Sequence, residues 1–151
     1  MRRSEKEIHE KSGIEAVIEK ATVCRLGLSV DHQPYVVPLN FGYEKNTLYF
    51  HGAVDGRKID MIRKNPRICF EMDVNSEIVK ESLPCFWGMR YESVIGFGKA
   101  EILADFDEKQ RGLGIIMAHY AEEAFTFDPD FVHAVAVIRV DIESMTGKKS
   151  G

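Results

Sequence analysis

The residues best suited to chemistry stand together at Asp55-Gly56-Arg57-Lys58, between an apolar run ending at His51 and a helical pattern that follows. A helix start leaves its first N–H groups unbonded and carries the positive end of the helix dipole, so two cations placed there favour an anion, with phosphate the natural guest. Gly56 lets backbone approach closely, Arg57 offers a planar fork and Lys58 a point charge. The same four residues also fit an ordinary surface helix capped by Asp55, and on this stretch alone both readings stay open. His51, at the end of an apolar strand and before Gly52, suits hydrogen bonding to a heteroaromatic ring or proton transfer near neutral pH, and equally a structural histidine. Trp87 has the area to cover a flat ligand or to fill an interface, and Ser93 in Tyr91-Glu92-Ser93-Val94 offers a hydroxyl.

Other chemistries are excluded. The histidines His9, His32, His51, His119 and His133 never fall at i, i+4 or beside a carboxylate in a zinc-hydrolase pattern. Cys24, Cys69 and Cys85 show no C-x-x-C spacing and each adjoins apolar residues, which predicts three buried small hydrophobes. Gly96-Phe97-Gly98 lacks the third glycine of a dinucleotide loop and continues as strand, while Gly112-Leu113-Gly114 sits inside a helical pattern. A helix glycine costs about 1 kcal/mol relative to alanine, so the second pair predicts close packing against another element or subunit. A net charge of -4 argues against a general nucleic-acid binder. No apolar run approaches the roughly 20 residues of a bilayer crossing, and no apolar region follows the charged N-terminus, so a soluble cytoplasmic protein is expected.

The elements that must position these residues follow from periodicity. At 151 residues and 44% hydrophobic, the chain predicts one domain over 1–151. Helical spacing of Ile8, Ile14, Val17 and Ile18 predicts a helix over 5–20. Strands are predicted over 24–30 and 35–43, joined by a turn at 31–34. Pro38 interrupts the second, which places that position at an edge, a bulge or a gap in the sheet. A strand over 47–52, a helix over 57–64 ended by Asn65-Pro66, and a strand over 67–73 come next. The polar stretch 74–84 reads as a loop and 91–104 as a long strand bent or bulged at Gly96 and Gly98. A helix over 107–120 capped by Asp107, a turn at 127–130 and a strand over 134–145 complete the chain. Short strands joined mostly by hairpins, with three helices, favour an antiparallel barrel or sandwich over a parallel sheet.

Taken in order, Pro34 to Glu44, Leu48 to Lys58, Ile62 to Phe70, Cys85 to Leu103 and Thr146 to Ser150 resemble the pyridoxamine 5′-phosphate oxidase-like flavoproteins, and within them the nitroimidazole-resistance branch. The resemblance implies a mainly β fold with added α: a six-stranded antiparallel FMN-binding split β-barrel of Greek-key type, with flanking helices. It implies a homodimer holding FMN in a groove at its interface. The flavin phosphate would sit at Lys58 with Arg57 nearby, and the ring along Val37, Pro38, Leu39 and Asn40. His51, Gly52 and Ala53 would line the pocket, with Trp87 and Ser93 approaching from the partner subunit or the pocket wall. Glu92 stands where many relatives carry a basic residue. The implied activity passes electrons from a reduced donor through FMN to a small acceptor such as a nitroaromatic, with His51 relaying a proton. The alternatives are a non-catalytic protein holding FMN, FAD or haem, with His51 as axial ligand, and a ligand-free dimeric scaffold. Lack of a second basic cluster argues against pyridoxamine 5′-phosphate as substrate.

Overall fold

The computed structural model describes residues 1–151. In chain order it contains β1 (Glu7–Ile8), α1 (Lys11–Lys20), β2 (Cys24–Val30), β3 (Gln33–Leu39), β4 (Gly42–Glu44) and β5 (Thr47–Ala53). Then come α2 (Arg57–Lys64), β6 (Arg67–Val79), β7 (Gly88–Ile102), α3 (Phe106–Tyr120), α4 (Pro129–Ala134) and β8 (Val135–Ser150). All strands join one sheet in the order β3-β2-β6-β7-β8-β5-β4, with β1 added beside β8, and every pairing is antiparallel. Six strands have seven residues or more, the expected set; β1 and β4 have two and three.

One connection decides the shape. β3 and β4 stand at opposite ends of the strand order, yet only Asn40 and Phe41 separate them in the chain. From Leu39 to Gly42 the chain reaches about 11 Å at most, so the sheet must curl until its two edges approach. The edges do not pair: β3 bonds only to β2, and β5 bonds to β4 only as far as Tyr49. A slit therefore remains between β3 and the end of β5, which is the split of the barrel.

Side-chain alternation sends Leu26, Leu28, Leu48, Phe50, Phe70, Met72, Val94, Ile138 and Val140 inward, and Ile14, Val17 and Ile18 of α1 with Ile59 and Ile62 of α2 join the same cluster. β5 and β8 are covered on their other face as well. There Tyr49, Val135 and Val137 pack beneath Leu113 and Ile116 of α3 and Val132 of α4. Burial on both faces is why Val135 to Ile138 read as a continuous apolar run.

Several boundaries differ from those predicted. The first helix starts at Lys11; residues 4–6 form a 3₁₀ turn and Ile8 pairs with Gly147, drawn from the helix by a strand 139 positions away. The predicted loop over 74–84 is strand as far as Val79, because β6 and β7 run on together as a two-stranded arm in solvent. The cap of α3 is Asp105, whose carboxylate accepts from Glu108 N–H at 3.0 Å, and not Asp107. Asp128 caps a fourth helix where a turn was predicted. The predicted strand over 35–43 breaks at Asn40 and Phe41, and the last strand extends to Ser150. Cys24 alone is a buried small hydrophobe; Cys69 is half-buried and Cys85 exposed. The bend at Gly96 to Gly98 is a bulge, its register shifting between Phe97 and Gly98, where a Cβ on Gly98 would collide with the Asp141 carbonyl. Gly112 packs against Tyr49 and Val137 as a close-contact glycine should, whereas Gly114 has open space around it. No helix is long and apolar enough to cross a membrane.

Candidate functional site

The slit has an unpaired strand edge on each side and a helix start at one end. On one side lies β3, whose Pro38 opposes Arg25 on β2 and, at the sheet edge, has no neighbour needing its missing N–H. Val37 and Leu39 pack toward the core, while Pro38 and Asn40 are exposed. On the other side the end of β5 carries His51, Gly52 and Ala53, paired to Val137, Ala136 and Val135 of β8 and free along the opposite edge.

After Ala53 the chain turns directly into α2. Its N-cap is Gly56, held at φ 136°, where a side chain would be strained. The cap predicted for Asp55 is not made, and no side chain bonds the first amides of this helix. A glycine N-cap thus leaves those amides free. The Arg57 guanidinium lies 4.9 Å from the centre of the Tyr35 ring on β3, which ties the helix start to the far wall of the slit. The Lys58 ammonium lies over Gly52, only 2.7 Å from where a Cβ on that residue would stand. Burial alone pushes the Lys58 pKa down from 10.5; no carboxylate offsets it. A half-buried cation without a counter-charge, beside uncapped amides and above a glycine cradle, fits a phosphate monoester.

The single chain assembles Val37, Pro38, Leu39, Asn40, Gly52, Ala53, Arg57 and Lys58 around this slit. His51 is half-buried at the same strand end, but alternation turns it to the Tyr49 side of β5, opposite Gly52. Trp87 and Ser93 are elsewhere. Trp87 is exposed on the β6–β7 arm, donating its indole N–H to the Glu81 carbonyl at 2.7 Å. Ser93 pairs between Asp73 and Lys148 in mid-sheet, two strands removed from β3. Glu92 turns to the opposite face, held by Asn75 Nδ2 at 2.8 Å and Lys149 Nζ at 3.7 Å, so its negative charge is already spent within the chain. Sequence reasoning passed over Tyr35, although an aromatic residue just after a tight turn at Asp31-His32 was a usable signal.

The outer sheet face carries an apolar row. Val36, Gly27, Cys69 and Phe97 follow one another across β3, β2, β6 and β7 and border a hollow of about 380 Å³. Val36 is 64% exposed and Phe97 54%. Along β7 this face continues through Ile95 to Met89, which pairs with Ile78 in the arm.

Comparison with known proteins bears on the fold and the family. A solved structure of a proposed 5-nitroimidazole antibiotic resistance protein from Bacteroides thetaiotaomicron VPI-5482 is 38% identical and superposes with a TM-score of 0.85, over 94% of this chain and 85% of that one. The flavocytochrome of Azotobacter vinelandii shares the fold at a TM-score of 0.87 and 19% identity, over 100% of this chain and 72% of that one. An uncharacterised protein of Rhizobium meliloti (strain 1021) is 33% identical over 58 residues, 38% of this chain and only 38% of that relative's length. The profile of the pyridoxamine 5′-phosphate oxidase family matches residues 10–149, and the chain belongs to that family.

Proposed function

We propose that this protein is an FMN-dependent oxidoreductase that works as a homodimer and passes electrons from a reduced donor to a small acceptor of the nitroaromatic class. The observation that carries this reading is the unmatched positive end of the slit, where Lys58, Arg57 and free helix amides meet two unpaired strand edges. Bound FMN would supply the redox chemistry, and the protein its orientation and electrostatics. In this reading Lys58, Arg57 and the α2 amides hold the phosphate. The free edge of β3 from Val37 to Asn40 bonds the ring and Gly52 and Ala53 line it, while His51, turned to the Tyr49 side of β5, takes no part in this reading. The 38% identity to a protein linked by its name to nitroimidazole resistance supports the acceptor class.

The dimer is supported by the exposed apolar face. Ile95, Phe97 and Val36 on the sheet continue into Ile78 and Met89 on the arm, with Phe86 and Trp87 beside them. An isologous two-fold contact buries such a face on itself. It would also bring Trp87 and Ser93 to the partner's slit, which one chain alone does not do. The test is an absorbance spectrum of the purified protein before and after FMN and then NADH. Flavin bands that bleach with NADH are expected; a colourless protein that rejects FMN, a Soret band, or flavin that neither NADH nor NADPH reduces would overturn the oxidoreductase.

A further inference from the structure

The corner where β3 passes into β4 is fastened from outside the sheet. Asn40 and Phe41 alone carry the chain between the two sheet edges, so their placement sets how far apart the walls of the slit stand. Phe41 N–H donates to the Tyr120 hydroxyl at 3.1 Å, and the same hydroxyl donates to the Thr22 carbonyl at 2.7 Å. The preceding residue serves the same corner: the His119 ring packs on Phe41 with centroids 4.3 Å apart, and its Nε2 bonds the Ala21 carbonyl at 2.5 Å. The last turn of α3 thus ties the link to the segment between α1 and β2.

A clamp works only if its own support is stiff, and α3 is seated by two glycines. Gly42 on β4 lets the Ile115 backbone lie against the strand, where a Cβ would come within 2.6 Å of it. Gly112 fits against Tyr49 and Val137, at 2.9 and 3.0 Å from a Cβ position. The Phe41 N–H belongs to the peptide that joins Asn40 to Phe41, so the Tyr120 hydroxyl holds the link at its centre.

We propose that His119 and Tyr120 form a clamp that sets the width of the slit and the position of Asn40, and so control flavin affinity as positioning residues. Its consequence for flavin rests on the FMN reading of the slit; its mechanical part does not. The test is Tyr120→Phe, which removes the one oxygen shared by both hydrogen bonds and keeps the ring. Tyr43→Phe is the control, since it removes a comparable tyrosine hydrogen bond, to Glu15 at 2.7 Å, from the neighbouring strand.

In Tyr120→Phe, FMN binding is expected to weaken about tenfold, the worth of one well-made hydrogen bond. The visible band shape of the bound flavin should change, and the Phe41 amide should exchange with solvent faster. Tyr43→Phe should alter none of the three. If wild type binds FMN and Tyr120→Phe binds it equally with the same spectrum, or if both variants weaken it alike, the clamp is refuted. If wild type takes up no FMN, the flavin reading fails instead. Hydrogen exchange then still decides the mechanical claim, which unchanged Phe41 protection would sink.

Discussion

Lys58 and Arg139 are both cations set partly below the surface, and the fold treats them in opposite ways. Arg139, 27% exposed, sits among three carboxylates, with Glu101 at 2.6 Å, Asp141 at 3.4 Å and Glu108 at 3.8 Å. Arg25 is handled likewise, bonded to Glu71 and Asp73 at 3.0 Å each. Lys58 has no carboxylate, and its neighbour Arg57 rests on an aromatic ring. Where a cation serves the fold, the chain supplies its counter-charges. At the slit it leaves them out, at the cost of a half-buried ammonium with no charge partner in the chain.

The largest test of that difference removes both slit cations. Arg57→Met with Lys58→Met should weaken FMN binding by at least about a hundredfold, since a hydrogen bond to a charged group contributes about 1.5–3 kcal/mol. The melting temperature of the apoprotein should hold or rise, because a buried unpaired charge has gone. Flavin titration and a thermal melt read the two, and a variant that binds as wild type would erase the contrast with Arg139.

A pH series gives a smaller and sharper effect, with opposite slopes for binding and stability. In the free protein the Lys58 pKa lies below 10.5, so the unfolded chain holds more protons between the lowered value and 10.5, and stability contributed by this group rises with pH there. FMN phosphate favours the charged form, so FMN affinity should fall as pH rises through the same window. In Lys58→Met both slopes should vanish; a persisting affinity slope would assign the titration to another group.

Glu71 supplies a test on the matched side. Burial first, and then the adjacent Asp73, push its carboxyl up from 4.5 despite Arg25. Its folded pKa exceeds the unfolded one, so its contribution to stability declines as pH rises through that interval. Glu71→Gln should flatten that part of the pH–stability curve and leave FMN binding alone. The smallest effect is expected for Arg139→Met. Its carboxylates are each more than half exposed, so the loss should be about 1 kcal/mol in a denaturant melt, with flavin affinity unchanged.

Local features were legible without coordinates. The helix start at Arg57 and its stop at Asn65-Pro66, the edge position of Pro38 and the bulge at Gly96 to Gly98 all follow from steric rules that act over a few residues. The choice of Gly56 over Asp55 as cap did not, because both residue types cap helices and the turn after Ala53 selects between them.

The sequence by itself determined which residue types meet an anion and which segments alternate as strands, since both are properties of neighbours along the chain. Tertiary structure decided that Ile8 leaves its helix for Gly147, that Arg57 rests on Tyr35, and that Tyr120 holds Phe41 from 79 positions away. Each of these contacts exists only once the two edges of the sheet curl toward one another across a two-residue link, and that closure is a long-range packing event with no local sequence signature.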